Sequence, residues 1–188
     1  MRKFIVQQWV TADNIAAEED GGLSFVTVSP FAASGDEDLG ATALEFIDTV
    51  DTMILGANTY AMGKEYWPTA DDQGEFGEKL NNLIKLVASS RLKDAPWGKF
   101  PAATVTADPV ATVRELKEQD GKDIWLWGSL KLMQSMLKAG VVDEVHLRVC
   151  PTTRDKGVRM FGDRYDMQLI KAQSFENGVV MLRYAMKN

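Results

Sequence analysis

Short apolar runs alternate with amphipathic segments between residues 38 and 150, and this alternation is the strongest constraint on the fold. Apolar residues at helical spacing, together with capping signals, predict helices at residues 38–49, 58–67, 109–119 and 129–139. Apolar runs bounded by turn residues predict strands at residues 3–10, 51–55, 84–88, 102–106, 123–127 and 142–149. Strands that alternate with helices form a mostly parallel sheet with right-handed crossovers. We therefore expect an α/β protein with three layers.

The segments outside this alternation complete the predicted fold. Two final strands at residues 167–175 and 179–186 join through Asn177-Gly178, a strong hairpin signal that adds antiparallel strands at one edge of the sheet. Residues 11–35 form a long loop with a short strand at 24–28, and residues 79–82 complete a short helix. The length of 188 residues suits a single domain over residues 1–188.

Charge and composition exclude several classes of function. Asp and Glu number 27 against 21 Lys and Arg, so the net charge of −6 argues against partners such as nucleic acids or anionic membranes. No stretch approaches the ~20 apolar residues of a membrane span. One cysteine, Cys150, and one histidine, His146, exclude a disulfide framework and zinc motifs that need two histidines. We expect a cytoplasmic protein without a metal site.

Familiar catalytic and nucleotide motifs are missing from the sequence. The first strand is not followed by G-x-G-x-x-G, and residues 35–40 have the glycine spacing of a phosphate loop without the Lys-Ser/Thr that should follow. Cys150 and His146 share a strand face, but their Cα atoms are ~13 Å apart, too far for a nucleophile and its base. We interpret Cys150 as a small buried hydrophobe and His146 as a strand residue with a satisfied partner.

Three predicted strands end in small or hydroxyl residues, where ligands bind in open α/β sheets. The candidate residues are Gly56, Asn58 and Thr59, then Ser89, Ser90 and Arg91, and finally Gly128, Ser129 and Leu130. Glycine lets a ligand approach the backbone, and a helix N-terminus offers free N–H groups to an anion. Ordinary capping by residues such as Ser129 explains any one of these turns. Three at one sheet edge indicate an elongated ligand with two phosphate regions, such as a dinucleotide.

Two tryptophans stand at predicted strand ends. Trp127 precedes Gly128 and shares a strand face with Trp125, while Trp9 ends the first strand. Either tryptophan could border a pocket that binds a ring. The alternative is that each packs under a helix as part of the core.

Four segments carry a resemblance to a known family: VDTMILGANTY (50–60), KLVASSRL (85–92), DIWLWGSLKLMQSMLKAGVVDEVHLRVCP (123–151) and GVRMF (157–161). Together they resemble the dihydrofolate reductase-like family, in particular stand-alone relatives of the reductase domain of bacterial riboflavin biosynthesis. The resemblance spans nearly the whole chain, and the block 123–151 is its most specific part. It implies the dihydrofolate reductase fold and an NADPH site along the strand ends described above.

The resemblance also implies roles for individual residues. Residues 56–59 and 89–91 would hold the adenosine phosphates, and residues 128–130, with Trp127, would receive the pyrophosphate near the nicotinamide. Residues 8–10 would border the nicotinamide. Ala57 stands where the family has a basic residue, and Ser129 replaces its second glycine. No carboxylate aligns with the proton donor of dihydrofolate reductases.

We expect an NAD(P)H-dependent reductase of a small heterocyclic substrate, either pterin-like or a pyrimidine. The substrate pocket would be lined by Trp9, Asp13, Phe31, Phe46 and Trp127, an aromatic cleft that suits a flat ring. Asp13 would be the catalytic residue that orients the ring or relays a proton. The alternatives are that Asp13 caps a turn and that Phe46 belongs to the core.

Two other functions remain open from the sequence: a nucleotide-binding module without catalysis, and the same fold with a flavin-like ligand. The predicted C-terminal hairpin places an apolar strand at or near the sheet edge, where strands tend to pair. Since relatives in this branch look like homodimers, we expect a two-fold dimer through these strands.

Overall fold

The computed structural model describes residues 1–26, 37–69 and 74–187. Its strands are β1 (Phe4–Thr11), β2 (Ile15–Ala17), β3 (Val50–Gly56), β4 (Ile84–Ala88), β5 (Thr104–Thr106), β6 (Asp123–Trp127), β7 (Glu144–Cys150), β8 (Val158–Arg159), β9 (Met167–Ser174) and β10 (Val180–Met186). Its helices are α1 (Glu37–Ile47), α2 (Ala57–Tyr66), α3 (Gly74–Asn82), α4 (Pro109–Lys117) and α5 (Leu130–Lys138).

Eight strands form one sheet in the order β5-β4-β3-β6-β1-β7-β10-β9. The first six in this order pair in parallel, and β10 and β9 pair antiparallel at one edge, which confirms the predicted mixed sheet. The carboxyl ends of β4, β3, β6 and β1 therefore lie side by side. This edge is where the sequence places its candidate residues.

Alternation along the strands divides the core between two faces of the sheet. Ile124 and Leu126 of β6 pack with Val113 of α4 and with α5, whereas Trp125 of β6 packs with α1, α2 and α3. The result is the expected three layers, because each face of a parallel sheet must be covered by helices. A third small cluster joins Trp9 to Leu39 of α1.

Most predicted elements are present, with ends that differ by a few residues. The strands at 84–88 and 123–127 match in full, whereas α3 begins five residues before the predicted position and β5 two residues after it. The short strands β2 and β8, which pair with each other, were not predicted. The predicted strand at 24–28 is wrong where the structure describes it, since residues 24 and 25 lie in a turn; residues 27 and 28 lie outside the described ranges.

The predicted capping of α5 by Ser129 is also wrong. The helix begins at Leu130, and Ser129 has a left-handed backbone with φ +67° and makes no capping hydrogen bond. Within the described ranges, no helix is long and apolar enough to cross a membrane.

Candidate functional site

The turn that follows β3 and the turn that follows β6 are in direct contact. The two strands are parallel neighbours, with Ile54 opposite Leu126, so their carboxyl ends emerge together. A Cβ atom placed on Gly56 would lie 1.9 Å from Ser129 Oγ. Glycine is required at position 56 for this close approach, because no side chain fits between the two turns.

A left-handed pair of residues redirects the chain from β6 into α5. Gly128 and Ser129 have φ values of +73° and +67°, a conformation that costs a residue with a side chain about 1–2 kcal/mol. This turn aims Ser129 Oγ away from its own helix and places it 2.9 Å from Thr59 Oγ1 in the first turn of α2. The hydroxyl pair joins the starts of the two helices.

The residues at the N-terminal capping positions of these two helices provide no side-chain capping hydrogen bond. Gly56 and Ser129, the residues at the capping positions of α2 and α5, make no such bond, whereas Asp108 caps α4 by accepting from the Ala111 N–H at 3.0 Å. First-turn N–H groups without a capping partner, together with the positive end of the helix dipole, favour an anion. Two such helix starts side by side suit a diphosphate.

The third predicted turn adjoins this pair through β4. Ala88 lies opposite Gly56, so Ser89 emerges beside the start of α2. Ser89 Oγ accepts hydrogen bonds of 3.1 Å from the N–H groups of Arg91 and Leu92 and thereby shapes the turn. Ser89 is half-buried, whereas Ser90 and Arg91 are exposed, and Asn58, at the start of α2, is exposed as well. Their side chains are accessible to a ligand that extends from the two helix starts.

The aromatic candidates lie on the sheet face that α1 covers. The Trp127 ring stacks on Trp125 with centroids 5.1 Å apart, and Phe46 of α1 meets Trp125 edge-on at 5.3 Å. Both Phe46 and Trp127 remain at least partly exposed. They therefore pack against the core while part of each ring stays accessible, and their role at a substrate pocket stays a prediction.

Asp13 lies in the turn between β1 and β2 and already has two partners. Its carboxylate accepts from Thr11 Oγ1 at 2.6 Å and from the Arg154 N–H at 3.1 Å. The Thr11 hydrogen bond is the main reason that the pKa of Asp13 is lowered from its ordinary value. These contacts support the turn-capping interpretation, and a catalytic role for Asp13 stays a prediction.

A buried polar row on β7 faces the same side of the sheet. His146 Nε2 lies 2.9 Å from Glu144 Oε2, as expected for a histidine with a satisfied partner. This hydrogen bond, with further help from Lys3, lowers the pKa of Glu144 to about 2, and burial lowers the pKa of His146. Arg148 completes the row. Sequence reasoning gave Arg148 no role, although an arginine flanked by Leu147 and Val149 in an apolar strand is a signal of a functional charge.

The remaining candidates are placed as follows. Trp9 lies two residues beyond Gln7, which is opposite Trp127, so the two tryptophans stand on neighbouring strands. Leu130 is the first residue of α5. Phe31 lies outside the described ranges. In the part of the chain that the structure describes, no cluster of three metal-ligating side chains occurs.

Comparisons with known proteins match this architecture. The family model described as the RibD C-terminal domain matches residues 4–181. Among curated proteins, the uncharacterised Bacillus subtilis protein YyaP is 27% identical over 188 residues, covering 97% of this chain and 94% of its own.

Three solved structures illustrate the shared fold. A candidate riboflavin biosynthesis protein from Shewanella sp. PV-4 gives a TM-score of 0.75 at 19% identity, with 99% of both chains covered. The Thermotoga maritima diaminohydroxyphosphoribosylaminopyrimidine deaminase/5-amino-6-(5-phosphoribosylamino)uracil reductase gives 0.66 at 14% identity, with 99% of this chain and 57% of that chain covered. Schistosoma mansoni dihydrofolate reductase gives 0.61 at 12% identity, with 99% of both chains covered. The expected dihydrofolate reductase-like fold is thus confirmed.

Proposed function

The chain belongs to the RibD C-terminal domain family, and on this basis we propose that it is an NADPH-dependent reductase of a small heterocyclic substrate, pterin-like or a pyrimidine. The observation that carries the proposal is the contact between the uncapped N-termini of α2 and α5, joined by Thr59 and Ser129. A diphosphate that bridges these two helix starts is the ligand they suit best.

The residues present fit such a cofactor. Glycine at positions 56 and 128 lets the two helix starts lie close together, since a Cβ on Gly128 would lie 3.1 Å from Thr59 Cγ2 and one on Gly56 would meet Ser129 Oγ. The N–H groups at the starts of α2 and α5 would hold the diphosphate. Ser90 and Arg91 would contact the adenosine-side phosphate. Two parallel N–H groups of the Arg91 guanidinium would donate to two of its oxygens. NADPH, when bound, supplies the hydride.

The protein's own contribution is to orient the substrate ring and exclude water. Trp9, Phe46 and Trp127 offer flat apolar surfaces on one side of the sheet. Asp13, ionised because its pKa is lowered, would accept hydrogen bonds from ring N–H groups. In this role Asp13 positions the ring, and the proton that accompanies hydride transfer comes from water.

We further propose a homodimer in a reducing, cytoplasmic setting. The single cysteine, Cys150, is buried and suits a reducing compartment. β9 forms one edge of the sheet, and most of its residues are exposed, including the apolar Leu169 and Ile170. An apolar edge strand of this kind favours pairing with a second copy.

The proposed cofactor site is tested by calorimetric titration with NADPH. Gly128→Asp should abolish binding, because the carboxylate occupies and repels the diphosphate position. Gly140→Asp is the matched control: Gly140 has a similar φ of +64° just past the far end of the same helix, and a Cβ atom there would meet no heavy atom within 4 Å. Both variants should lose stability through their left-handed backbone, Gly128→Asp somewhat more because its Cβ meets Thr59, and only Gly128→Asp should lose NADPH.

Turnover then separates the proposed reductase from its alternatives. NADPH oxidation with pterin and pyrimidine substrates supports the reductase, whereas NADPH binding without turnover on such a panel indicates a nucleotide-binding module. A purified protein with flavin absorbance indicates the flavin-like alternative. If wild type binds no nicotinamide nucleotide, the proposal is wrong.

A further inference from the structure

Among the described residues, none provides a counter-charge to the buried side chain of Arg148. Only 2% of the residue is exposed, and its Nε has no hydrogen-bond partner within the described ranges. No residue in those ranges accepts a hydrogen bond from its guanidinium or forms an ion pair with it. Burying an unpaired charge is costly, so such a group is retained where a ligand completes it.

The neighbouring acid on the strand does not neutralise Arg148. Glu144 is four residues away, about 13 Å along β7, and is already engaged by Lys3, His146 and Arg183. The contact that Arg148 does make is with Trp9, its register partner on β1, whose ring centroid lies 5.2 Å from the guanidinium carbon. An aromatic face stabilises the cation but does not satisfy its N–H donors.

This arginine stands at the proposed cofactor site. Trp9 lies two residues beyond Gln7, and Gln7 is opposite Trp127, so the Cα atoms of Trp9 and Trp127 are about 8 Å apart. Trp127 directly precedes Gly128 of the cofactor turn. Arg148 therefore faces the same side of the sheet as the aromatic wall, next to where a hydride would be delivered.

We propose that Arg148 binds a carboxylate of the substrate, so that the enzyme acts on flat heterocycles that carry an acidic substituent. A free Nε and the adjacent Nη form two parallel donors, which match the two oxygens of a carboxylate. Trp9 holds the guanidinium and offers its exposed part to the heterocycle. This inference rests on the proposed function and specifies its substrate class.

The proposal predicts an unusual effect on stability. Without ligand, Arg148→Met should raise the melting temperature, because a well-packed apolar side chain replaces an uncompensated charge. Arg183→Met is the comparison, since Arg183 pairs with buried Glu144 and its loss should lower the melting temperature. A structural role for Arg148 predicts a fall for both variants.

The decisive measurement is substrate binding, followed by calorimetry on NADPH-saturated protein. The affinity for orotate is compared with that for uracil, and the affinity for pterin-6-carboxylate with that for pterin. Wild type should prefer at least one acid over its neutral counterpart by about 10- to 150-fold, the range of a charged hydrogen bond. Arg148→Met should lose this preference and keep NADPH affinity, and Arg148→Lys should keep part of it. Arg114→Met, at an exposed position of α4, should match wild type.

Each outcome distinguishes this inference from the proposed function. If wild type fails to bind NADPH, the reductase proposal falls. If wild type binds NADPH but binds no acid, or binds acids and neutral rings equally, the assignment of Arg148 is overturned. The same holds if Arg148→Met retains the preference for the acid.

Discussion

Thr59 Oγ1 and Ser129 Oγ lie 2.9 Å apart and join the first turn of α2 to the residue that precedes α5, although the two residues are 70 positions apart in the chain. The contact depends on Gly56, the only residue type that leaves room for the Ser129 side chain. The two helix starts are thus held as one unit, which is the geometry that a bridging diphosphate needs.

This packing predicts a strong coupling between positions 56 and 129. Gly56→Ala should lower the free energy of unfolding by about 1–3 kcal/mol, because the added methyl group overpacks the contact with Ser129. The backbone contributes no further loss, because φ −77° at Gly56 is acceptable for alanine. Ser129→Gly should be tolerated, because glycine suits the left-handed backbone. The double variant should be more stable than Gly56→Ala alone in urea unfolding. Additive effects of the two changes would contradict the contact.

Selectivity between the two nicotinamide nucleotides should depend on Arg91. Arg91→Ala should weaken NADPH binding about 10-fold or more and leave NADH nearly unchanged, because only NADPH carries a 2′-phosphate with which the guanidinium would pair. Lys93→Ala, at another exposed cation two residues away, is the control. Equal losses for both nucleotides in calorimetry would remove Arg91 from this role.

Asp13 should act on turnover and not on cofactor binding. Asp13→Asn is expected to reduce turnover about tenfold or more while NADPH affinity stays unchanged. Since the pKa of Asp13 is lowered from 3.8, wild-type turnover should show no loss from Asp13 protonation above about pH 5. Asp155→Asn serves as control, since Asp155 is exposed and follows Arg154, whose N–H contacts Asp13. Unchanged turnover in Asp13→Asn would leave Asp13 with its turn-capping contacts alone.

Acid should destabilise the fold through His146. Burial lowers the pKa of His146 in the folded state, so below its ordinary value of 6.5 the unfolded chain takes up a proton that the folded chain does not. The stability that the fold gains from keeping His146 neutral is fully present above pH 6.5. It is lost as the pH falls, by up to about 1.4 kcal/mol per pH unit. His146→Gln should unfold in urea with a flatter pH dependence between pH 7.5 and 5. Parallel profiles would show that His146 does not titrate on unfolding.

The exposed edge strand predicts self-association. Light scattering should give twice the monomer mass for wild type, and Leu169→Glu, which places a charge on the 53% exposed Leu169 of β9, should give the monomer. Met62→Glu is the control, since Met62 is 76% exposed but lies on α2. A monomeric wild type would refute the dimer, and a dimeric Leu169→Glu would place the interface elsewhere.

The elements and their order follow from local patterns. The apolar runs at 84–88 and 123–127 are bounded by residues that end strands, so these two strands are predicted to the residue. The strands β2 and β8 have three and two residues and carry too little periodicity to be recognised. The three candidate turns follow from the same local evidence, because each is a strand end with glycine or hydroxyl residues.

What the sequence by itself determined is therefore the sheet, its helices and the residues at the edge that carries the candidate site. The tertiary structure decided how those residues act, because contacts between distant segments govern their conformation. Ser129 looks like a helix cap in its local sequence, but the turn against Gly56 and Thr59 gives it a left-handed backbone and a different partner. Arg148 is an ordinary strand residue by position, and only its burial beside Trp9, unpaired with any carboxylate of the described residues, makes it a candidate for binding an anion.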